Sequence, residues 1–335
     1  MLKYAIIGFG GLGKLHYSKT ETIKELAGDV QLVAVCDVEE SAFRKKTTTN
    51  LSEGGEIEGL SNYNLYTDLD ELLEKEELDF VITALPTYLH EPVAVKVMKR
   101  GIHVFSEKPM AINHEQAENM IKTAKENNVK LMIGQCLRFD PIYATIRDII
   151  HSKKYGKLIR AELYRLSVAP RWSWQNWMRD GEKSGGVGLD LHVHDVDFIN
   201  WTLGVPNAVT SFATAYECKH DAISSVYHYD DVLVHVTADW SYVGEFPFTP
   251  GMKLKFENAA LVQENRDVTI YPREGESFKL DIPYENCYVN EIVEFIKCIR
   301  EDRVSEINPP EDSMRSIDIA LAEMLSADTH ETIEL

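Results

Sequence analysis

Three short segments of this 335-residue chain carry residue types suited to handling protons and charge. The first runs Gly185-Gly186-Val187-Gly188-Leu189-Asp190-Leu191-His192-Val193-His194-Asp195-Val196-Asp197. On a helix, residues three and four apart share a face, so Asp190, His194 and Asp197 align while His192 points roughly to the opposite side. A carboxylate that orients an imidazole and sets its basicity suits proton transfer near neutral pH. Two other readings stay open. His192 and His194 form a His-x-His pair of the kind that binds zinc, although a helix splays such positions apart and no third ligand stands out. The same groups also suit a structural role, capping and gluing the start of a helix.

The second segment, Glu107-Lys108-Pro109, follows the strand-like run His103-Val104-Phe105. Ligands of open parallel sheets bind beyond the carboxyl ends of the strands, which is where Lys108 would project. Taken alone, Glu-Lys-Pro is also an ordinary surface turn. The third segment, Arg171-Trp172-Ser173-Trp174-Gln175-Asn176-Trp177, contains three of the chain's five tryptophans. Flat aromatic faces suit the C–H faces of sugars and cyclitols, with Arg171 and Asn176 reading hydroxyls. For any single tryptophan, packing in a core or dimer interface is the stronger alternative.

These residues need elements to hold them, and the first elements are legible at once. After the strand Leu2–Ile7 comes Gly8-Phe9-Gly10-Gly11-Leu12-Gly13, a G-x-G-x-x-G turn opening a helix expected over Leu12–Ala27. Its glycines permit a tight turn, close approach of the backbone to a pyrophosphate, and close helix–strand packing. The helix N-terminus then offers free N–H groups to phosphates. Asp37 ends the next strand, Gln31–Cys36, where a carboxylate can accept both ribose hydroxyls. The motif therefore points to a dinucleotide. The charge of Asp37 would repel a 2′-phosphate, which favours NAD over NADP; Arg44-Lys45-Lys46 downstream could soften that preference but reads better as a solvated basic face.

Further strands are expected at Asp79–Ala84, Ile102–Phe105 and Lys130–Gln135, separated by helices at Pro86–Arg100 and His114–Asn127. Asn113 and Gln116 suit a capping box for the latter. Near-continuous apolar strands alternating with helices argue a doubly wound parallel sheet over residues 1–136. Lys46–Asn62, rich in Thr, Asn, Ser, Gly and Glu, reads as an exposed loop insertion. Beyond Arg138 the pattern changes. A helix over Pro141–His151 precedes β-rich runs at Leu158–Val168, Val209–Glu217, Ser225–Trp240, Met252–Glu257, Ala260–Glu264 and Val268–Tyr271, interrupted by a helix at Leu189–Leu203. Two helices close the chain. Residues 137–335 thus read as an α+β domain with a large, mostly antiparallel open sheet.

Composition bounds the partners. A formal net charge of −19 disfavours nucleic acid and anionic membranes. No apolar run approaches the ~20 residues of a bilayer span, and the opening residues lack a signal-peptide pattern. The five scattered cysteines form no CxxC and suggest neither disulfides nor a metal site, consistent with a reducing cytoplasm.

In order along nearly the whole chain, these motifs resemble the Gfo/Idh/MocA family, the glucose–fructose oxidoreductase and inositol dehydrogenase group. The resemblance rests on the glycine turn, Asp37, Ala84-Leu85-Pro86-Thr87 with His90, Glu107-Lys108-Pro109, Arg138-Phe139 with Pro141, and Gly185-Gly186 leading to Asp190, His194 and Asp197. It implies a Rossmann domain followed by an α/β domain whose open sheet builds an oligomer interface, a homodimer or tetramer. It also implies roles. Gly8 to Gly13, Asp37, Ala84, Leu85, Pro86, His90, Glu107, Lys108, Gln135 and Arg138 would contact the cofactor. Lys108 would polarise the reacting oxygen, His194 would exchange the alcohol proton, and Asp190 would support the site. Arg171, Trp177 and His192 would join them against the substrate. His192 stands where the commoner motif has glycine, and an imidazole there would narrow the pocket or add a hydroxyl contact. The expected activity is hydride transfer between nicotinamide and a secondary alcohol of a sugar or cyclitol, without a metal. Two alternatives accompany it: transient redox by tightly held NAD during glycoside cleavage, and a non-catalytic cofactor-binding regulator.

Overall fold

The computed structural model describes residues 1–45, 48–49, 52–53 and 59–335. Residues 46–47, 50–51 and 54–58, which make up most of the expected insertion at Lys46–Asn62, lie outside the described residues. The chain divides into two compact units. One comprises Met1–Cys136, Trp172–Gln175 and Tyr288–Ser313; the other comprises Leu137–Arg171, Asn176–Cys287 and Met314–Leu335.

The first unit contains strands β1 (Leu2–Ile7), β2 (Val30–Cys36), β3 (Thr48–Thr49), β4 (Ser52–Glu53), β5 (Asn64–Tyr66), β6 (Phe80–Thr83), β7 (His103–Glu107) and β8 (Leu131–Gly134). Six of them form one sheet in the order β5-β2-β1-β6-β7-β8, every pair parallel, while β3 and β4 pair only with each other. The strand order reverses at β1, so the crevice between the carboxyl ends of β1 and β6 is the ligand position of a doubly wound sheet. Strands β6 and β8 are buried along their whole length, as their unbroken apolar runs require.

Helices α1 (Gly11–Ser18), α2 (Thr20–Ala27), α3 (Leu69–Lys75), α4 (His90–Met98) and α5 (His114–Glu126) connect these strands. The single helix expected over Leu12–Ala27 is broken at Lys19, just after the Ser18 hydroxyl donates back to the Leu15 carbonyl at 2.7 Å. Such back-bonding competes with the helical ladder and bends it. At α5, Asn113 accepts the Gln116 N–H at 2.9 Å, one half of a capping box. The Gln116 side chain returns to the Ile112 N–H at 3.4 Å instead of to Asn113.

The second unit contains α6 (Pro141–His151), α7 (Gly181–Ser184), α8 (Gly186–Asp190) and α9 (Val193–Leu203). Its strands are β9 (Leu158–Val168), β10 (Ala208–Thr214), β11 (Ala222–His228), β12 (Leu233–Tyr242), β13 (Thr249–Phe256), β14 (Ala259–Glu264), β15 (Asp267–Pro272), β16 (Phe278–Lys279) and β17 (Ile333–Glu334). They form one nine-stranded sheet in the order β16-β15-β14-β13-β9-β12-β11-β10-β17. Only β9 and β12 run parallel; the other neighbours are antiparallel. Burial alternates along β9 and β12, so one face is a core and the other is not. On the core face Val187 and Leu191 pack with Ile223, Ala238 and Trp240. The opposite face carries Tyr164, Thr237, Ser224 and Phe212 in one cross-strand row, and Phe212 is 67% exposed.

The chain ends with α10 (Cys287–Arg300) and α11 (Pro310–Thr329). From α10, Phe295 sets its ring edge-on to Phe80 and Phe105 of the first sheet, both at 5.8 Å between centroids. Among the described residues no helix is long and apolar enough to cross a membrane, and no group of three His, Cys, Asp or Glu side chains could hold a metal ion. The five cysteines are free thiols.

Candidate active site

In the first unit the candidate residues gather at the carboxyl ends of the strands. Gly8 adopts φ +88°, which favours glycine, and a Cβ on it would lie 2.4 Å from the Ala84 carbonyl oxygen. The glycine turn and the Ala84-Leu85-Pro86 loop therefore meet backbone to backbone. A Cβ on Gly13 would fall 1.9 Å from the Gly8 carbonyl oxygen, so α1 lies directly against the turn. A Cβ on Gly10 would meet nothing within 4 Å; its backbone faces open space. The first turn of α1, beginning with Gly11 and Leu12, has no acidic side chain and no side-chain cap on its N–H groups. A cradle for an anion is thus present.

Asp37 accepts the Phe9 N–H at 2.6 Å with one carboxylate oxygen and the Glu39 N–H at 2.8 Å with the other. It ties the glycine turn to the end of β2. The Phe9 side chain is buried against Tyr17, so Phe9 faces the core and contributes to the turn through its backbone. Lys14 lies beside Asp37. Burial lowers the Lys14 pKa, and the Asp37 carboxylate opposes that shift only in part. Arg44 pairs with Glu40 at 2.6 Å on the exposed surface, as a solvated basic face would.

Lys108 follows β7, and from Val104 to Ala111 it is the one residue that is not buried. Its neighbour Glu107 is held by His16 of α1, Nε2 to Oε1 2.7 Å, both side chains buried. The other Glu107 oxygen accepts the Lys108 N–H at 3.3 Å. His90, expected at the cofactor, instead places its two ring nitrogens 2.7 Å from the Pro109 carbonyl and 2.8 Å from the Leu85 carbonyl. Burial lowers its pKa while the two carbonyls, both acceptors, oppose that shift, and the ring clips the Ala84–Thr87 loop to the turn after Lys108. Gln135 is buried with neither amide atom hydrogen-bonded.

In the second unit the helix expected over Leu189–Leu203 is two helices, α8 and α9, parted at Leu191-His192. Asp190 closes the first and His194 lies in the first turn of the second, so the three residues expected on one helix are divided between two. Asp197 turns away altogether. It receives two hydrogen bonds from Arg138, each 2.8 Å, and one from the Ser316 hydroxyl at 2.8 Å. Arg138, expected at the cofactor, is the buried partner of that carboxylate. Asp195 is held likewise by Arg165, at 2.8 and 2.9 Å. From Ser184 to Asn200 every residue is buried except His194.

His192 is fully buried, and its Nε2 lies 3.0 Å from Glu323 Oε1. The hydroxyl contact expected of it is not what this ring makes. Arg171 extends to Glu217 at 2.5 Å, and Arg179 meets the other oxygen of the same carboxylate at 2.7 Å, so Arg171 is an ion-pair partner on the surface and not a free reader of hydroxyls. Trp177 is half-buried. Trp172–Gln175 groups with the first unit, where the Trp174 indole N–H donates to Glu39 at 3.3 Å.

Sequence reasoning missed His16, Glu291 and Glu323. The signal for Glu291 was present, because it sits on the α10 face formed by Val289, Ile292, Phe295 and Ile296.

Comparison with known proteins agrees with this geometry. Residues 2–135 match the model of an oxidoreductase family with an NAD-binding Rossmann fold, Gfo/Idh/MocA, and residues 143–262 match the C-terminal domain of the same family. The chain belongs to the Gfo/Idh/MocA family. Its first unit is accordingly an NAD-binding Rossmann unit. Among curated Gfo/Idh/MocA relatives, the 2,7-anhydro-N-acetylneuraminate hydratase of Mediterraneibacter gnavus is 31% identical over 212 residues, 62% of this chain and 51% of that protein. The chain thus spans about half the length of this relative. The inositol 2-dehydrogenase of Rhizobium meliloti is 26% identical over 327 residues, 92% of this chain and 91% of that protein. The fold of a levoglucosan dehydrogenase, solved with NADH and levoglucosan, superposes with a TM-score of 0.83 at 17% identity, covering 99% of both chains.

Proposed function

We propose that the protein transfers a hydride between NAD and a secondary alcohol of a sugar or cyclitol, using Lys108, Asp190 and His194. One observation carries the reading. Each unit has a buried run from which a single residue emerges, Lys108 in one and His194 in the other. One is a lysine and the other a histidine, residue types suited to the two tasks of alcohol oxidation, stabilising charge on oxygen and taking a proton.

Residues 1–136 form the NAD-binding domain in this reading, and 137–335 the domain for substrate and self-association. The glycine turn, the α1 N-terminus and Asp37 hold the dinucleotide, and Asp37 disfavours a 2′-phosphate. The buried Gln135 amide supports a partner supplied by the ligand, since an unpaired buried amide costs about 1–3 kcal/mol. When bound, NAD supplies the hydride acceptor. His194 takes the hydroxyl proton. Lys108 stabilises negative charge on oxygen, and Asp190 orients the imidazole and the substrate. The open face around Phe212 and Tyr164 takes a second copy of the chain.

The resemblance to a hydratase favours a second reading, in which NAD stays bound and is regenerated within each turnover. One experiment separates the two. The purified protein is assayed for bound NAD(H), and NAD reduction is then followed with a panel of inositols and aldoses, for wild type, Lys108→Ala and His194→Ala. Net reduction by wild type, lost in both variants, supports the dehydrogenase. Retained cofactor without net reduction supports the second reading. Undiminished turnover in both variants refutes the assigned roles.

A further inference from the structure

The break between α8 and α9 is held by a residue whose side chain faces away from the candidate site. His192 precedes the first residue of α9 and caps its start. Its N–H and that of Leu191 both donate to the Val187 carbonyl, at 2.8 and 3.1 Å. Its own carbonyl accepts from Asp195 and Val196, at 3.0 and 3.1 Å. Asp190 lies two residues before it and His194 two residues after. Its ring is fully buried against Glu323 of α11, at 3.0 Å, with both side chains 0% exposed.

We infer that His192 is a positioning residue, whose buried pair with Glu323 fixes the break between α8 and α9 and thereby places Asp190 and His194. The inference rests on the roles proposed above for those two residues.

Three features argue for it. First, the side chain of His192 ties the break to a helix more than a hundred residues downstream. Second, α8 and α11 are in close contact beside the pair, since a Cβ on Gly188 would lie 2.8 Å from Met324 Sδ. Glu323 therefore lies on a helix packed directly against α8. Third, the pair is joined by a directional hydrogen bond. Burial alone would lower the His192 pKa, but the charge and hydrogen bond of Glu323, aided by Asp195, raise it above its ordinary value against the opposing charge of Arg165. The groups around it are Glu323 on α11, Tyr227 on β11, which also faces Glu323, Asp195 on α9 and Arg165 on β9.

A buried pair of titratable groups is a poor source of stability, because desolvation offsets most of the attraction. Apolar residues would fill this space as well. Its directional hydrogen bond is what an apolar pair cannot reproduce, and orientation is what proton transfer depends on: a misplacement of about 1 Å can lower a rate ~100-fold.

The test uses the NAD-loaded full chain and two variants, Glu323→Gln and the double variant His192→Phe/Glu323→Leu. The His194 ring is followed by NMR of histidine-labelled protein through a pH titration, and kcat and KM are measured on the substrate found in the panel above. Glu323→Gln is expected to move the His194 titration midpoint by at least about half a unit. It is expected to lower kcat about 10- to 100-fold with KM little changed. The double variant is expected to recover the unfolding midpoint but neither kcat nor the titration. Wild-type kcat and His194 titration in the double variant would overturn the inference, since packing alone would then suffice. Should His194→Ala abolish turnover while that happens, only the role of His192 fails. Should His194→Ala leave turnover intact, the proposed mechanism fails instead.

Discussion

Arg138 and Asp197 face each other through two parallel hydrogen bonds of 2.8 Å, with the guanidinium fully buried and the carboxylate 1% exposed. Such a fork-to-fork pair is stable only while both charges are present. Asp197→Asn or Arg138→Met should each destabilise the protein by about 3–5 kcal/mol, because each leaves one buried charge uncompensated. The double variant Arg138→Met/Asp197→Leu should recover most of that loss. Urea unfolding of the three variants checks this, and equal midpoints for the single and double variants would contradict it.

The glycines of the turn differ in what a methyl group would meet. Gly13→Ala places a Cβ against the Gly8 carbonyl oxygen and should cost at least ~2–3 kcal/mol of stability. Gly10→Ala meets nothing in the protein, so its unfolding midpoint should match wild type. Its NAD affinity should nonetheless fall at least ~10-fold, because the methyl group fills the space a pyrophosphate approaches. Calorimetric titration with NAD distinguishes a cradle from an ordinary connector.

Asp37 has oxygens bonded to both the Phe9 and the Glu39 N–H groups, and each retains acceptor capacity for a ribose hydroxyl. Asp37→Ser removes charge-assisted bonds valued at about 1.5–3 kcal/mol, so NAD affinity should drop roughly 10- to 150-fold. NADP should lose less, because the repulsion of its 2′-phosphate disappears. The ratio of the two dissociation constants is the measurement, and an unchanged ratio would remove Asp37 from the ribose site.

Glu291 is fully buried in the first unit, and neither of its oxygens has a hydrogen-bond partner. Burial, reinforced by Cys136 and Glu107, raises its pKa well above the ordinary carboxyl range. A group whose folded pKa is raised contributes stability that is complete below its unfolded pKa, about 4.3, and is lost as pH rises through the folded value. Wild type should therefore lose stability with rising pH, by at most ~1.4 kcal/mol per unit from this group. Glu291→Gln should match wild type near pH 5 and exceed it near pH 9. Melting curves across that range decide the matter, and a constant gap between the two proteins would show that Glu291 does not titrate there.

What sequence reasoning reached was local, and what it missed depends on distant partners. The turn from Gly8 to Gly13 is legible because the backbone at Gly8 and Gly13 leaves no room for a Cβ, and Asn113 is legible because the N–H it accepts lies three residues away. The break at Leu191-His192 is not. Asp190, His194 and Asp197 keep helical spacing across it, and the features that mark the break, Glu323 and Arg165, come from elsewhere in the chain. The carboxylate that holds Arg138 is likewise distant, 59 residues away. Trp174 belongs to a run suited either to a sugar face or to packing, and its N–H donates to Glu39, 135 residues earlier.

The Phe295 ring that completes the core around Phe80 and Phe105 has a temporal consequence. A ribosome adding ~5–20 residues per second delivers the six parallel strands long before it delivers α10. Until then the rings of Phe80 and Phe105 lack the neighbour that covers them, and the first unit waits on the second to be synthesised. Release of a nascent chain before Phe295 should leave that surface open to chaperones, so the first unit, although it begins first, cannot close until most of the second has been made.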